Sequence, residues 1–408
     1  MSVLKVGLGH SACPEEAIQS AMQSTPKPIL VIVFCASTHN PHDVYDVVKN
    51  AVGDAAVIGG TAIGEFSSIA DSPVDSSVAV MTLQSSYLSV GIGAGEGLSV
   101  DPDAAAQKAV KDAYAAVQAN PIVMSMLTIA MGGKSASEAA HIKPFVNIVL
   151  PSGTSGGEEA FLRTLLKEVG KVSQVVGGST ANDLSNTVTH QFCNGVYEDS
   201  GVMAVLSSAL KMGTAMGHPY YPSNEGLLVT KAEGRTVYEL NNQKAEEAMK
   251  ALLGVDELNA DLFAENPMGI KSSDVFGQYT IKSVMTANDD SSLTFYAEVP
   301  EGAYLTHMES DREFAVESFK ETLRNAIKDA GNPKKIGAII IFNCILRHLL
   351  KCRLDIDDQE IVREVVGEEV PMIGFNTFGE QGTTLGGSLG HYNQTATILV
   401  IADETITQ

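Results

Sequence analysis

Tryptophan is absent from the 408 residues, and bases are scarce: 27 Lys and Arg stand against 49 Asp and Glu, a formal charge of -22. A surface for nucleic acid or an anionic membrane needs clustered basic residues, so neither partner is expected. A cationic, zwitterionic or neutral small ligand is compatible with this balance. Cysteines number five, Cys13, Cys35, Cys193, Cys344 and Cys352, and no CxxC pair occurs. That excludes a disulfide framework and a zinc site, and implies free thiols in a reducing compartment. Long apolar runs are missing as well. The longest, Ile336–Cys344 and Ile122–Met131, fall short of the ~20 residues of a membrane span, and MSVLKVGLGHSACPEE has no signal-peptide core. A cytoplasmic protein without membrane attachment is expected. Charged residues make up only 19% against 44% hydrophobic, which excludes a disordered chain. The length suits two or three domains.

Glycine, by contrast, is abundant at 37, and it recurs in a pattern. Ile58-Gly-Gly-Thr-Ala-Ile-Gly-Glu65, Val176-Gly-Gly-Ser-Thr-Ala-Asn-Asp183 and Ile373-Gly-Phe-Asn-Thr-Phe-Gly-Glu380 each run from an apolar strand through glycine and hydroxyl or amide residues to an acid. Upstream of each lies an apolar run (Ile29–Ala36, Phe145–Leu150, Ile336–Cys344), then a helical pattern (Pro41–Ala51, Glu158–Val169, Asp357–Val366) closed by Gly53, Gly170 or Gly367. Downstream come strand-like runs at Ser77–Leu83, Gly201–Leu206 and Ala396–Ala402. Further upstream, Val6–Gly9, Val90–Gly93 and Tyr304–Met308 each precede a helix. The predicted fold class is α/β: three diverged strand–helix–strand–helix–strand–strand units, with an α+β insert at 209–298. Strands alternating with helices predict largely parallel pairing, with only the last strand of each unit antiparallel. The predicted division is 1–208, holding two units, and 209–403, holding the insert and the third. The units and insert leave no separate output domain, so signalling in trans, through a partner or a homo-oligomer, is expected.

Familiar chemical motifs fail on their spacing. Gly7-x-Gly9-x-x-Ala12 has the shape of a dinucleotide fingerprint, but the next strand ends at Cys35–His39 with no acid for the ribose. Gly132-Gly-Lys-Ser135 has Thr128 where a phosphate loop needs its first glycine. The nine histidines form no HExxH or HxH, so no metal centre is expected. A b-type haem needs one histidine only, and His218, in a stiff Gly-His-Pro-Tyr-Tyr-Pro loop, and His348 are the candidates.

The acids Glu65, Asp183 and Glu380 stand just past strand carboxyl ends, where α/β sheets build their sites. With Thr61, Thr180, Asn376 and Thr377 they offer acceptors and amides for an ammonium- or hydroxyl-bearing ligand. The same acids can instead cap turns in a duplicated fold. Paired carboxylates also suit acid–base catalysis, although no nucleophile–base pair accompanies them. Arg347, at the end of an apolar strand, suits either a ligand carboxylate or an internal salt bridge to Glu380 or Asp183.

These segments, together with Thr189–Val196, Val229–Gly234, Val237–Leu240 and Phe342–Arg347, resemble the FIST sensory module over essentially the whole chain. The resemblance implies an intracellular signal-transduction input module that binds a small, amino-acid-like ligand and has no established catalytic residues. Some relatives resemble haem-binding nitric oxide sensors acting on a histidine kinase, which keeps haem and such a partner as an alternative. Leu346 stands where the family usually has a small residue before the arginine.

Overall fold

The apolar runs alternate between two destinations, as the two-residue period of a strand requires. In Leu30–Ala36, Leu30, Ile32 and Phe34 enter one core, while Val31, Val33 and Cys35 enter another. In Phe145–Pro151, Val146, Ile148 and Leu150 join that first core and Val149 a third. In Ile336–Cys344, Ala338, Ile340 and Phe342 join it again, with Ile339 and Ile341 in a fourth. One central core is therefore shared by three sheets, and each sheet carries a private core on its other face.

The structure, a computed structural model, describes residues 2–70, 76–135, 142–170, 173–184, 187–271, 277–383 and 389–408. The first elements are β1 (Lys5–Ser11), α1 (Pro14–Ser24), β2 (Leu30–Ala36), α2 (Pro41–Val52), β3 (Ala56–Ala62), β4 (Glu65–Ser67) and β5 (Val78–Gln84). Next are β6 (Leu88–Glu96), α3 (Pro102–Ala116), α4 (Pro121–Met131), β7 (Phe145–Pro151), α5 (Glu158–Val169), β8 (Gln174–Gly178), β9 (His190–Cys193), β10 (Val196–Glu198) and β11 (Ser200–Ser208). The middle holds β12 (Leu210–Gly217), β13 (Tyr221–Glu233), β14 (Thr236–Leu240), β15 (Gln243–Lys244), α6 (Ala245–Leu253), α7 (Ala260–Glu265), β16 (Met268–Lys271), β17 (Tyr279–Lys282), β18 (Val284–Ala287), β19 (Leu293–Phe295) and β20 (Tyr304–Glu309). Last come α8 (Arg312–Asp329), β21 (Ile336–Cys344), α9 (Ile345–Leu354), α10 (Asp358–Val366), β22 (Met372–Thr377), β23 (Glu380–Thr383), β24 (Leu389–Tyr392) and β25 (Ala396–Thr405).

Local chemistry places the helix ends. Pro14, Pro41, Pro102 and Pro121 open α1 to α4, where a missing N–H is harmless. The side chains of Asn40, Asp101 and Asn120 accept from the first-turn N–H groups. Gly53, Gly170 and Gly367 close α2, α5 and α10 at φ of 59°, 74° and 94°.

Three sheets share one strand order: β1-β5-β2-β3, β6-β11-β7-β8 and β12-β25-β21-β22. In each, the first two pairings are antiparallel and the third is parallel. Pairing is thus mainly antiparallel, not largely parallel as expected. The last strand returns between the first and second, so those two run parallel without touching. The first strand of the third sheet is β12; Tyr304–Met308, expected in that place, lies instead in β20 of an eight-stranded sheet built by the middle segment. This sheet has its own core, with Leu227, Val237, Met249, Phe263 and Phe295.

Arms passing between the sheets tie them together. β4 follows β3 but pairs with β22; β9 follows β8 but pairs with β3; β23 follows β22 but pairs with β8. No single helix among the described residues is long and apolar enough to cross a membrane. All five cysteines are free.

Candidate functional site

The arms bring the three recurring motifs to one place. Gly59, Gly177 and Gly374 face Val33, Val149 and Ile341 in the parallel pairs, and two residues later stand Thr61, Ser179 and Asn376. These three strand ends bond to one another in a ring. Ala181 N donates to Thr61 O at 3.0 Å, Phe378 N to Ser179 O at 3.1 Å, and Asn376 N to Gly64 O at 3.0 Å. Thr61 Oγ1 accepts from His190 N at 3.0 Å, and Asn376 Nδ2 donates to Ile63 O at 2.9 Å. Packing is tight enough to require glycine: a Cβ on Gly178 would lie 2.3 Å from Thr377 Cγ2, and one on Gly60 2.4 Å from Thr180 Cγ2.

Of the residues singled out in the sequence, Thr61, Glu65, Thr180, Asn376, Thr377 and Glu380 are buried in this hub, whereas Asp183 is exposed on its rim. Glu65 Oε1 accepts from Ser77 Oγ, and Oε2 has no partner among the described residues. His10 lies behind, each ring nitrogen 2.9 Å from a serine oxygen, Ser67 or Ser77. Burial pushes the Glu65 carboxyl up to about 7. Glu380 accepts from Thr377 Oγ1, and from Thr395 N and Oγ1 at 3.1 and 2.6 Å. Burial pushes it up to about 8. With 5% and 0% of their surface exposed, neither carboxyl can meet a substrate as the hub stands.

Arg347 is committed elsewhere. Its guanidinium forks onto Asp358 at 2.6 and 3.1 Å, reaches Asn343 Oδ1 at 2.5 Å, and stacks 4.5 Å over the Phe319 ring. The expected internal partners Glu380 and Asp183 are thus replaced by Asp358, which α10 supplies. Burial alone would raise Asp358, but Arg347 and Lys351 hold it down at about 2. Asn343 Nδ2 then donates to Asn376 Oδ1 at 2.8 Å, linking this pair to the hub.

His218 does not fit a haem. His218 Nε2 lies 3.1 Å from Tyr279 O and Nδ1 3.3 Å from Tyr220 N, so neither nitrogen is free for iron. Burial holds its pKa at about 4. The adjoining cavity is about 150 Å³, the size that admits a benzene ring and not a porphyrin. His348 has Nε2 3.5 Å from Cys352 Sγ, among the charges of Lys351, Asp358 and Arg347. No group of three His, Cys, Asp or Glu side chains among the described residues is placed to hold a metal.

A larger cavity of about 550 Å³ opens between α5 and the middle segment. Glu159, Leu162 and Arg163 line it from one side, and Lys282, Glu298 and His391 from the other. Ion pairs brace its walls: Arg235 reaches Glu158 at 2.8 Å and also Glu159, while Arg163 reaches Glu298 at 2.9 Å. His391 connects it to the hub, since Gln381 Nε2 donates to His391 Nδ1 at 3.1 Å and to Ser179 Oγ at 2.9 Å. None of these cavity residues was singled out in the sequence. His391 follows the third motif by eleven residues, which was the one available signal; Lys282 had none.

The FIST N domain family matches residues 29–243, and the FIST C domain family residues 245–383. An uncharacterized protein of Methanocaldococcus jannaschii, MJ1623, is 29% identical over 223 residues, which are 51% of this chain and 42% of that protein. The chain therefore spans about two fifths of the length of that relative. Among solved structures, a cyanuric acid hydrolase from A. caulinodans is similar over 98% of this chain and 99% of its own, with a TM-score of 0.36 and 10% identity. That likeness is too slight to bear on either fold or chemistry.

Proposed function

This chain belongs to the FIST family, with its N and C domains in sequence, and from that premise we propose a small-ligand-binding sensory protein. FIST domains are associated with signal transduction and small-ligand sensing. The observation that carries the proposal is the 550 Å³ cavity, walled by α5 from the FIST N part, by Lys282 and Glu298 from the FIST C part, and by His391 just beyond it. Ligand sites favour such junctions, and a ligand held between two parts biases how they sit. Leu162, Leu166, Val299 and Pro300 add apolar wall, while charges of both signs suit an amino-acid-like ligand.

The shared strand order and the swapped arms support reading the architecture as three diverged units with an α+β insert. In this reading Thr61, Glu65, Thr180, Asn376, Thr377 and Glu380 form the relay. A ligand that shifts His391 alters the Gln381–Ser179 bonds and so the ring of motifs. Arg347 braces the ring through Asn343, and Asp183 marks its exposed rim. The signal passes in trans to a partner, a histidine kinase or another signalling protein.

A melting screen against amino acids, amines and carboxylates tests the reading. A ligand at one hundred times its Kd adds about 2.7 kcal/mol of stability. If no compound raises the melting temperature and none co-purifies, the sensory reading fails.

A further inference from the structure

We propose that Lys282 and His391 anchor the carboxylate of a small ligand in the cavity between α5 and the middle segment. The inference rests on the reading that this cavity receives the ligand, and it adds the chemistry of recognition. Lys282 ends β17 half-buried, and its Nζ has no hydrogen-bond or ion-pair partner among the described residues. The acids around it are already engaged. Glu159 pairs with Arg235 and accepts from Glu298 N at 2.9 Å; Glu298 pairs with Arg163. Glu158 shares Arg235 with Glu159, so three acids face three bases, Arg235, Arg163 and Lys282; of these bases Lys282 alone touches no acid directly among the described residues.

Burial holds the Lys282 amine below the ordinary lysine range, so a bound anion would restore what desolvation removes. His391 supplies the second donor. Its Nδ1 accepts from Gln381, so the neutral ring, as its hydrogen bonding assigns it, carries the proton on Nε2. Burial keeps that ring neutral. Two donors on one cavity match the two oxygens of a carboxylate. A phosphate dianion fits less well, because Glu159 and Glu298 would repel its second charge, whereas an ammonium on the same ligand would meet them favourably.

Acetate, glycine, acetamide and methylammonium separate these charges on one small skeleton. Reductive ¹³C-methylation of the lysines keeps their charge, and the Lys282 resonance is assigned by its loss in Lys282→Arg. The expected result is a saturable shift of that resonance with acetate and glycine, and none with acetamide, methylammonium or chloride. In melting curves Lys282→Met weakens acetate and glycine roughly 10- to 100-fold in Kd. The same variant melts no lower than wild type without ligand, since it removes an unpaired cation. A Lys282 shift equal for acetamide or chloride, or absent with acetate and glycine, overturns the anchor. A compound that stabilises wild type and Lys282→Met equally overturns the anchor and leaves the sensory reading standing; no stabilising compound at all removes both.

Discussion

Glu380 and Glu65 are acids whose burial raises them to about 8 and about 7, well above the ordinary carboxyl range. Their folded values lie above the ordinary 4.5, so the native state binds more protons than the unfolded chain between pH 4.5 and about 8. Their contribution to stability is complete below pH 4.5 and is lost as pH rises through that window. Asp358 acts in the opposite sense, losing its contribution only as pH falls through its ordinary 3.8 toward about 2. Glu380→Gln mimics the protonated form, and Thr377 and Thr395 can reorient their hydroxyls around it. The expected outcome is a melting-temperature difference, variant minus wild type, that rises from near zero at pH 5 to clearly positive at pH 9. Parallel curves would contradict this. Arg347→Met leaves Asp358 with Lys351 alone in a buried site, and a loss of about 3–5 kcal/mol in urea unfolding is expected. The motif acids Glu65, Asp183 and Glu380 were legible from the recurring pattern, but their fates were not, and Asp358 was not singled out at all. Burial of Glu380 depends on β23 folding onto β8 of another sheet, a contact spanning 202 residues that no local pattern records. Lys282 lies in an ordinary strand run, Tyr-Thr-Ile-Lys, and only the assembled cavity distinguishes it.

The strands and helices themselves were readable, because apolar alternation, N-terminal prolines and closing glycines are local signals. Their pairing was not. Whether a returning strand inserts between two others or adds at an edge depends on packing of the whole sheet, and the antiparallel majority follows from insertion. The exchanged arms make the close approaches specific. Gly178→Ala places a methyl against Thr377 and the Cβ of Phe342, so a cost of about 1–3 kcal/mol is expected from overpacking. Thr377→Ser on that background removes the nearest obstructing carbon and keeps the hydroxyl for Glu380, so chemical denaturation of the double variant should recover part of the loss. Additive losses would place the strain elsewhere.

Three sheets drawing on one central core should unfold as a unit. Phe34 from the first sheet packs on Phe375 of the third, with centroids 4.3 Å apart, and on Phe342 at 6.3 Å. Phe34→Ala should cost about 3–5 kcal/mol, read by circular dichroism as one shifted transition for both family parts. The sensory account adds a direction of transmission, from the cavity through His391 and Gln381 to the ring of motif ends. Hydrogen exchange, followed by mass spectrometry with and without a stabilising compound from the melting screen, measures that directly. The account predicts slowed exchange in α5, in β17 and in the 378–383 segment that contacts Ser179. Protection confined to the small cavity beside His218, or to surfaces away from both family parts, would contradict it.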